Sequence, residues 1–330
     1  MSGVFKGLLL WEILETHKKI QPYIEQTPLI RSYVLEDLIG KEIYLKYEFL
    51  QPTKSFKVRG ACAKVLALDE EERNRGLITA SGGNHGLGVC YAGKQFDTPV
   101  TVYVPMTTSQ EKIGKIVKWG GKPVQFGQAW DDADEKAQRV AEEEGLVYIH
   151  PFDDLNVVKG QGTIGLEMME QKSDLDAIVA SVGGGGLLSG IGMVARQMRP
   201  EIMIYGVETE GADAVTQSFR KNRLITLPEI TSIATTLAAK RTTASTFARL
   251  KAVVNAMETV TDQEALNALS LLMREEKIIV EPATSCTIAA LLNRKFALKG
   301  VEKIGIVLCG ANVSVRELEE WGLLHEGTNQ

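Results

Sequence analysis

The sequence contains few cysteines and histidines, and it has neither a long apolar run nor an excess of positive charge. No two of its cysteines form a Cys-x-x-Cys pair, so we expect neither a disulfide framework nor a zinc knuckle. Its histidines lack the spacing of metal ligands, and transition-metal chemistry is therefore not expected. The residues concerned are Cys62, Cys90, Cys286, Cys309, His17, His85, His150 and His325.

The charge balance and the start of the chain argue against two classes of partner. Lysine and arginine number 37 against 42 acidic residues, a net charge of −5 without a basic stripe, so nucleic acid is not expected as the main partner. The start, Met1 to Trp11, is too short for a membrane span and lacks the small-residue cleavage site of a secretory signal. We therefore expect no membrane partner and a cytoplasmic location.

Strand-like apolar segments alternate with helix-like amphipathic segments along the chain. A strand at 76–80 is followed by a helix at 84–96, and a strand at 176–182 is followed by a helix at 187–198. This alternation predicts an α/β fold with mostly parallel sheets.

The chain length predicts two lobes, because 330 residues exceed the size of one usual core. Pro52 and the His150-Pro151 pair are reasonable crossing points between them. We predict a small domain, 51–150, and a large domain formed by 1–50 and 151–330.

Lys57 stands between an aromatic and a β-branched residue in the segment 55–60, SFKVRG. Burial there would disfavour its charged form and lower its pKa. A neutral amine is a nucleophile that forms a Schiff base with an aldehyde such as pyridoxal 5′-phosphate (PLP). The same residues also fit a lysine that snorkels to solvent from the start of a helix.

Two glycine-rich segments each follow a strand and open a helix. The segment 81–86, SGGNHG, fits either an anion site at the helix N-terminus or a tight turn with a capping residue. Four consecutive glycines at 183–186 cost backbone entropy and contribute no packing, which favours a nest of N–H groups around a phosphate.

A dinucleotide-binding unit is an alternative for the tetraglycine, since Glu208 ends the next strand roughly 20 residues on. Its fingerprint fails, because the third glycine is replaced by Leu188 or Ser189 in the two possible registers. A P-loop fails as well, because no Gly-Lys-Ser/Thr follows.

Cys309 and Gly310 end the last apolar strand, and the carboxyl ends of strands are where open α/β sheets bind ligands. Taken alone, Cys309 is more typical of an inert buried thiol.

Together these segments resemble the fold-type-II PLP-dependent enzymes, in particular the serine/threonine dehydratase family, of which serine racemase is a relative. The resemblance runs from 27–29 (TPL) through 160–163 (GQGT) and 280–283 (VEPA) to Cys309-Gly310. The pattern is most similar to that of L-serine dehydratases. It implies a tryptophan-synthase-β-like fold of two lobes, each an open, mostly parallel sheet flanked by helices.

The resemblance implies a role for each matched residue. Lys57 would hold PLP as a Schiff base and then abstract the substrate Cα proton. The remaining cofactor contacts would be made by Phe56, Asn84, Gly183, Gly184, Gly185, Gly186, Leu187 and Cys309. The substrate would be bound by Ser81, Gly82, Asn84 and His85.

The resemblance also implies the reaction. Cys309 would face the pyridine nitrogen, and a thiol cannot protonate that nitrogen as a carboxylic acid would, which favours β-elimination. L-Serine and L-threonine are the expected substrates, with phenylserine or 3-hydroxyaspartate as alternatives. Serine racemases carry a second serine where this chain has Gly82, so racemisation is disfavoured. A homodimer is expected by the same analogy.

The serine dehydratases that this sequence resembles suggest a monovalent cation such as K⁺. Its ligands would be Glu208 and the carbonyl groups of Gly183, Ala212, Leu237 and Ala239, although Glu208 also fits an ordinary carboxylate at a strand end. The divalent site of racemase relatives is incomplete, because an acidic residue is replaced by Ala214. The family's Ala-Asp-Gly stretch near the ring appears here as 234–236, ATT.

Overall fold

The structure, a computed structural model, describes residues 6–324. Residues 1–5 of the start considered above and His325 lie outside the described residues. No helix within residues 6–324 is both long and apolar enough to cross a membrane.

The described residues form strands and helices that alternate along the chain. The strands are β1 (Leu29–Arg31), β2 (Glu42–Lys46), β3 (Leu77–Ala80), β4 (Val100–Val104), β5 (Lys122–Gln125), β6 (Val147–Tyr148), β7 (Ala177–Ser181), β8 (Met203–Thr209), β9 (Ala256–Val260) and β10 (Lys303–Val307). The helices are α1 (Leu10–Ile20), α2 (Tyr33–Ile39), α3 (Lys57–Leu66), α4 (Glu70–Arg75), α5 (Asn84–Gln95), α6 (Gln110–Lys118), α7 (Trp130–Glu144), α8 (Leu155–Gln171), α9 (Gly186–Met198), α10 (Ala214–Lys221), α11 (Ala244–Val253), α12 (Asp262–Leu271), α13 (Pro282–Leu292) and α14 (Val315–Glu320).

The strands pair into two separate sheets. The larger has the spatial order β1-β2-β10-β7-β8-β9 and is parallel except for the pair β1 and β2. The smaller has the order β5-β4-β3-β6 and is parallel throughout. The predicted α/β fold with two mostly parallel sheets is confirmed. The domain boundaries at 50/51 and 150/151 stay a prediction.

Helices pack on both faces of the larger sheet, which explains why its central strand β7 is buried at every position. Ala177 and Val179 pack in one apolar cluster with residues of α13. Ile178 and Ala180 pack on the opposite face with residues of α9. The edges at which the strands end are therefore where a ligand can approach the sheet.

Four charged side chains form a fully buried ion cluster, which we call the four-charge cluster: Lys46, Glu48, Arg59 and Glu167. The Arg59 guanidinium donates to Glu48 at 2.7 and 2.8 Å and to Glu167 at 2.7 and 2.9 Å. The Lys46 ammonium donates to Glu167 at 2.6 Å and to the carbonyl oxygen of Thr27 at 2.6 Å. Two positive charges thus balance two negative ones, and they join β2, α3 and α8.

Glu167→Gln should lower the free energy of unfolding by about 3 to 5 kcal/mol, because it leaves two buried cations with one carboxylate. Chemical denaturation of the cofactor-free protein measures the change. Glu71→Gln is the matched control, since Glu71 pairs with Arg75 on the surface and its loss should cost less than about 1 kcal/mol. Equal losses in the two variants would contradict a stabilising role for the four-charge cluster.

Candidate active site

Strands of both sheets end at one cavity of about 540 Å³. Residues at or just after the ends of β3, β7 and β10 line it, and so does the loop after β4, residues 105–109. This is the edge at which open α/β sheets bind ligands.

Lys57 is the first residue of α3 and its side chain lies in this cavity. The N–H of Phe56 donates to the carbonyl oxygen of Cys309 at 3.0 Å, which holds Lys57 beside the end of β10. The Lys57 amine lies 5.1 Å from the Phe56 ring centre and donates to the carbonyl oxygen of Pro151 at 2.8 Å. Burial lowers the pKa of the Lys57 amine to about 8, so a neutral, nucleophilic fraction exists near neutral pH.

The tetraglycine forms a tight cradle between β7 and the N-terminus of α9. A Cβ atom at Gly184 would lie 2.1 Å from Cδ1 of Phe152, and one at Gly186 would lie 2.7 Å from the carbonyl oxygen of Phe152. Gly185 has a φ of +100°, which side-chain-bearing residues rarely adopt. The carbonyl oxygen of Gly184 accepts from the Thr242 hydroxyl at 2.8 Å, which fixes the loop from a second direction. Only glycine therefore fits here, at a helix terminus suited to a phosphate.

The loop after β3 presents polar groups at the start of α5. The Ser81 hydroxyl accepts from the N–H of Gly83 at 3.3 Å. A Cβ at Gly86 would lie 2.0 Å from the carbonyl oxygen of Ser81, so this glycine permits the sharp turn into the helix. His85 is buried with Nε2 2.9 Å from the carbonyl oxygen of Ile149, and burial lowers its pKa to about 3. His85 therefore stays neutral at physiological pH.

Cys309 lies at the end of β10 with its thiol directed at two hydroxyl groups. Its Sγ is 3.1 Å from Oγ1 of Thr284 and 3.5 Å from Oγ of Ser181. Burial raises the pKa of the thiol to about 11, so the group stays neutral and is a weak acid.

The sequence reasoning missed Glu281, whose carboxylate lies in the same cavity. It accepts from the amide of Asn84 at 2.9 and 3.1 Å, from the N–H of Asn312 at 2.8 Å and from the hydroxyl of Thr236 at 2.7 Å. The only sequence signal was the motif at 280–283, where an acidic residue precedes a proline at a helix start.

The structure brings most predicted site residues together in one cavity and leaves two outside its lining. Glu208 is buried, and its carboxylate accepts from the N–H groups of Val215 and Thr216 at 3.2 and 2.6 Å. Burial raises its pKa to about 8. The residues inside the lining are Phe56, Lys57, Ser81, Gly82, Asn84, His85, Gly183, Gly184, Gly185, Gly186, Leu187, Leu237, Ala239 and Cys309, whereas Glu208 and Ala212 lie outside it.

The cation site stays a prediction. Gly183 packs against Leu237, since a Cβ at Gly183 would lie 3.2 Å from Cα of Leu237. No cluster of three or more His, Cys, Asp or Glu side chains suited to a metal ion lies within residues 6–324. In the dinucleotide alternative the Glu208 carboxylate would bind a ribose. Glu208 is buried and both its oxygens accept hydrogen bonds from backbone N–H groups, which gives this alternative no support.

The cavity fits PLP on three separate observations. It contains a partly buried amine of lowered pKa for an aldehyde, a backbone cradle for a phosphate and a neutral thiol at the end of β10.

Comparison with known proteins agrees with this fit. A family model described as "Pyridoxal-phosphate dependent enzyme" matches residues 20–310. L-Threonine ammonia-lyase of Thermotoga maritima is 38% identical over 312 residues, covering 94% of this chain and 77% of that protein. Serine racemase of Dictyostelium discoideum is 37% identical over 315 residues, covering 94% of this chain and 97% of that protein. The solved structure of maize serine racemase superposes with a TM-score of 0.90 at 31% identity, covering 94% of this chain and 95% of that chain.

The chain therefore belongs to the pyridoxal-phosphate dependent enzyme family. The family resemblance and the fold class inferred from the sequence are confirmed. The roles of individual residues stay predictions, and two of them can be tested directly.

When cofactor-free protein is mixed with PLP, covalent capture at Lys57 should accelerate with pH through about 8 and level off above it, because only the neutral amine attacks an aldehyde. An exposed lysine would instead level off near about 10.4. Stopped-flow absorbance measures the rate. Lys57→Ala should lose both the absorbance of the covalent adduct with PLP and turnover. Retention of either would show that Lys57 is not the residue that captures PLP.

Gly184→Ala should weaken PLP retention at least tenfold, because the added Cβ would collide with the Phe152 ring and deform the cradle. Equilibrium dialysis measures the dissociation constant. Gly114→Ala is the control, since a Cβ at Gly114 would meet no atom within 4 Å. Unchanged cofactor affinity in the Gly184 variant would mean that the glycines serve only the turn.

Proposed function

We propose that this enzyme is an ammonia-lyase that converts a β-hydroxy L-amino acid to a 2-oxoacid and ammonia. The observation that carries the proposal is the partly buried Lys57 amine, of lowered pKa, in one cavity with the glycine cradle and the neutral Cys309 thiol. The name of the Thermotoga relative supports the same reaction class. L-Serine and L-threonine are the proposed substrates, ahead of phenylserine and 3-hydroxyaspartate.

The residues of the cavity divide the chemistry between them. When bound, PLP supplies an aldehyde for the substrate amine and a ring that withdraws electrons from Cα. The Lys57 amine, with its pKa near that of a general base at neutral pH, accepts the Cα proton. Backbone N–H groups at the start of α5, with the Ser81 hydroxyl, bind the substrate carboxylate.

Cys309 directs the outcome after the proton has left Cα. By the family resemblance Cys309 would face the ring nitrogen of PLP, and its high pKa means that the thiol would supply no strong acid there. Expulsion of the β-hydroxyl is then favoured over return of a proton to Cα. Water and ammonia leave the substrate carbon skeleton, one water is taken up again, and a 2-oxoacid results.

Isomerisation of serine is the second candidate, because the Dictyostelium relative is named a serine racemase. Position 82 offers no side chain to act as a base on the opposite face of the substrate. We therefore place elimination first. The homodimer, the cytoplasmic location and the two-domain division stay predictions of the resemblance and the sequence.

Release of 2-oxoacid from the PLP-loaded enzyme tests the proposal. The panel is L-serine, L-threonine, L-threo-phenylserine and threo-3-hydroxyaspartate, each with potassium and again with potassium replaced by sodium. We expect turnover of L-serine or L-threonine at least tenfold above the other two, and none with Lys57→Ala. Absence of 2-oxoacid across the panel, with bound cofactor, would refute elimination from these substrates. Loss of optical rotation from L-serine would then favour isomerisation.

A further inference from the structure

We propose that Glu281 is a positioning residue whose buried negative charge orients Asn84 and tunes the protonation of the bound cofactor. The inference rests on the proposed function only through the assignment of the cavity to PLP. Its test needs no substrate.

Glu281 carries a carboxylate that is shielded from water. The residue is 4% exposed, and no ion pair within residues 6–324 includes it. A buried anion is costly unless hydrogen bonds or an opposite charge compensate it. Here three donors compensate it in part, the Asn84 amide, the Asn312 N–H and the Thr236 hydroxyl.

These donors come from separate parts of the fold, so the carboxylate links them. Asn84 begins the helix that follows the smaller sheet, whereas Thr236 and Asn312 follow strands of the larger sheet. Gly310 permits the approach, since a Cβ there would lie 2.8 Å from Oε1 of Glu281 and 3.0 Å from Nδ2 of Asn84.

The network fixes the Asn84 side chain in one orientation. Its Nδ2 donates to Glu281, and its Oδ1 accepts from Nδ2 of Asn312 at 2.7 Å. Asn312 is itself held, because its Nδ2 also donates to the carbonyl oxygen of Thr53 at 2.7 Å. A flipped Asn84 amide would set donor against donor at Asn312 and acceptor against acceptor at Glu281. Asn84 is thus presented to the cavity in a defined way.

The charge of Glu281 acts on neighbouring groups that gain or lose protons. Burial raises the pKa of the Cys309 thiol most, and the negative charge of Glu281 raises it further. The electric field of Glu281 therefore reaches the end of β10. An anion within a few ångströms favours the protonated, positively charged form of a titrating group. A cofactor bound against Asn84 and Cys309 would lie in the same field. The negative charge of Glu281 would then stabilise the protonated, positively charged form of that cofactor.

The test is the pH titration of the visible absorption of bound PLP, without substrate. Glu281→Gln should lower the apparent pKa of that absorption by about one unit or more, because the anion is gone while the size of the side chain is kept. Glu317→Gln is the matched control. Glu317 also lines the cavity, its carboxylate accepts from Ser314 rather than Asn84, and glutamine serves equally in that capping position. Its titration should match that of the unaltered enzyme.

Thr236→Val separates charge from hydrogen bonding, because it removes one donor and keeps the carboxylate; its titration should stay within a few tenths of a unit. A Glu281→Gln titration equal to that of the unaltered enzyme would overturn the proposal, as would an equal shift in the Glu317 variant. If Glu281→Gln fails to fold or to hold PLP, Glu281→Asp decides. If Glu281→Asp keeps the cofactor and titrates like the unaltered enzyme, the charge has the proposed role. If Glu281→Asp also fails to fold or to hold PLP, the proposal is refuted. An unaltered enzyme that binds no PLP would instead refute the proposed function.

Discussion

The position of Lys57 depends on the four-charge cluster. Arg59 lies two residues after Lys57 on the same helix, and its guanidinium is fixed by carboxylates from two other elements. A Cβ at Gly160 would lie 2.4 Å from the carbonyl oxygen of Arg59, so α3 and α8 touch backbone to backbone beside the cluster. Once the ion pairs and this contact are set, the first turn of α3 has little freedom. The amine of Lys57 is then directed at the cavity rather than at solvent.

The cavity combines buried groups of different charge, and their environments set their protonation. Desolvation leaves the Lys57 amine partly neutral and the Cys309 thiol neutral. Within residues 6–324 Glu281 has no cation to pair with, but donors on three residues compensate its carboxylate. The same physical effect, loss of water, thus prepares a base at one position and a weak acid at another.

The sequence predicted those parts of the site whose reasons are local. A glycine run after an apolar strand favours a backbone cradle, whereas a lysine between apolar neighbours fits either burial or snorkelling to solvent, and the other motifs of the family resemblance favoured burial. Glu281 escaped prediction because its partners Asn84 and Thr236 are 197 and 45 residues away along the chain. Lys46 and Glu167 escaped for the same reason, since a single charged residue in a strand or helix is normally assigned to the surface. Only the fold shows that these charges meet inside.

The residues that line the cavity come from separate segments of the chain. The amine, the cradle and the thiol come from α3 and from the ends of β7 and β10, whereas the loop at 105–109 contributes another part of the wall from the smaller sheet. Substitutions in that loop can reshape the cavity while the groups that would hold the cofactor stay in place. Because these parts of the wall lie on different segments of the chain, the shape of the cavity can change at one of them without moving the amine, the cradle or the thiol.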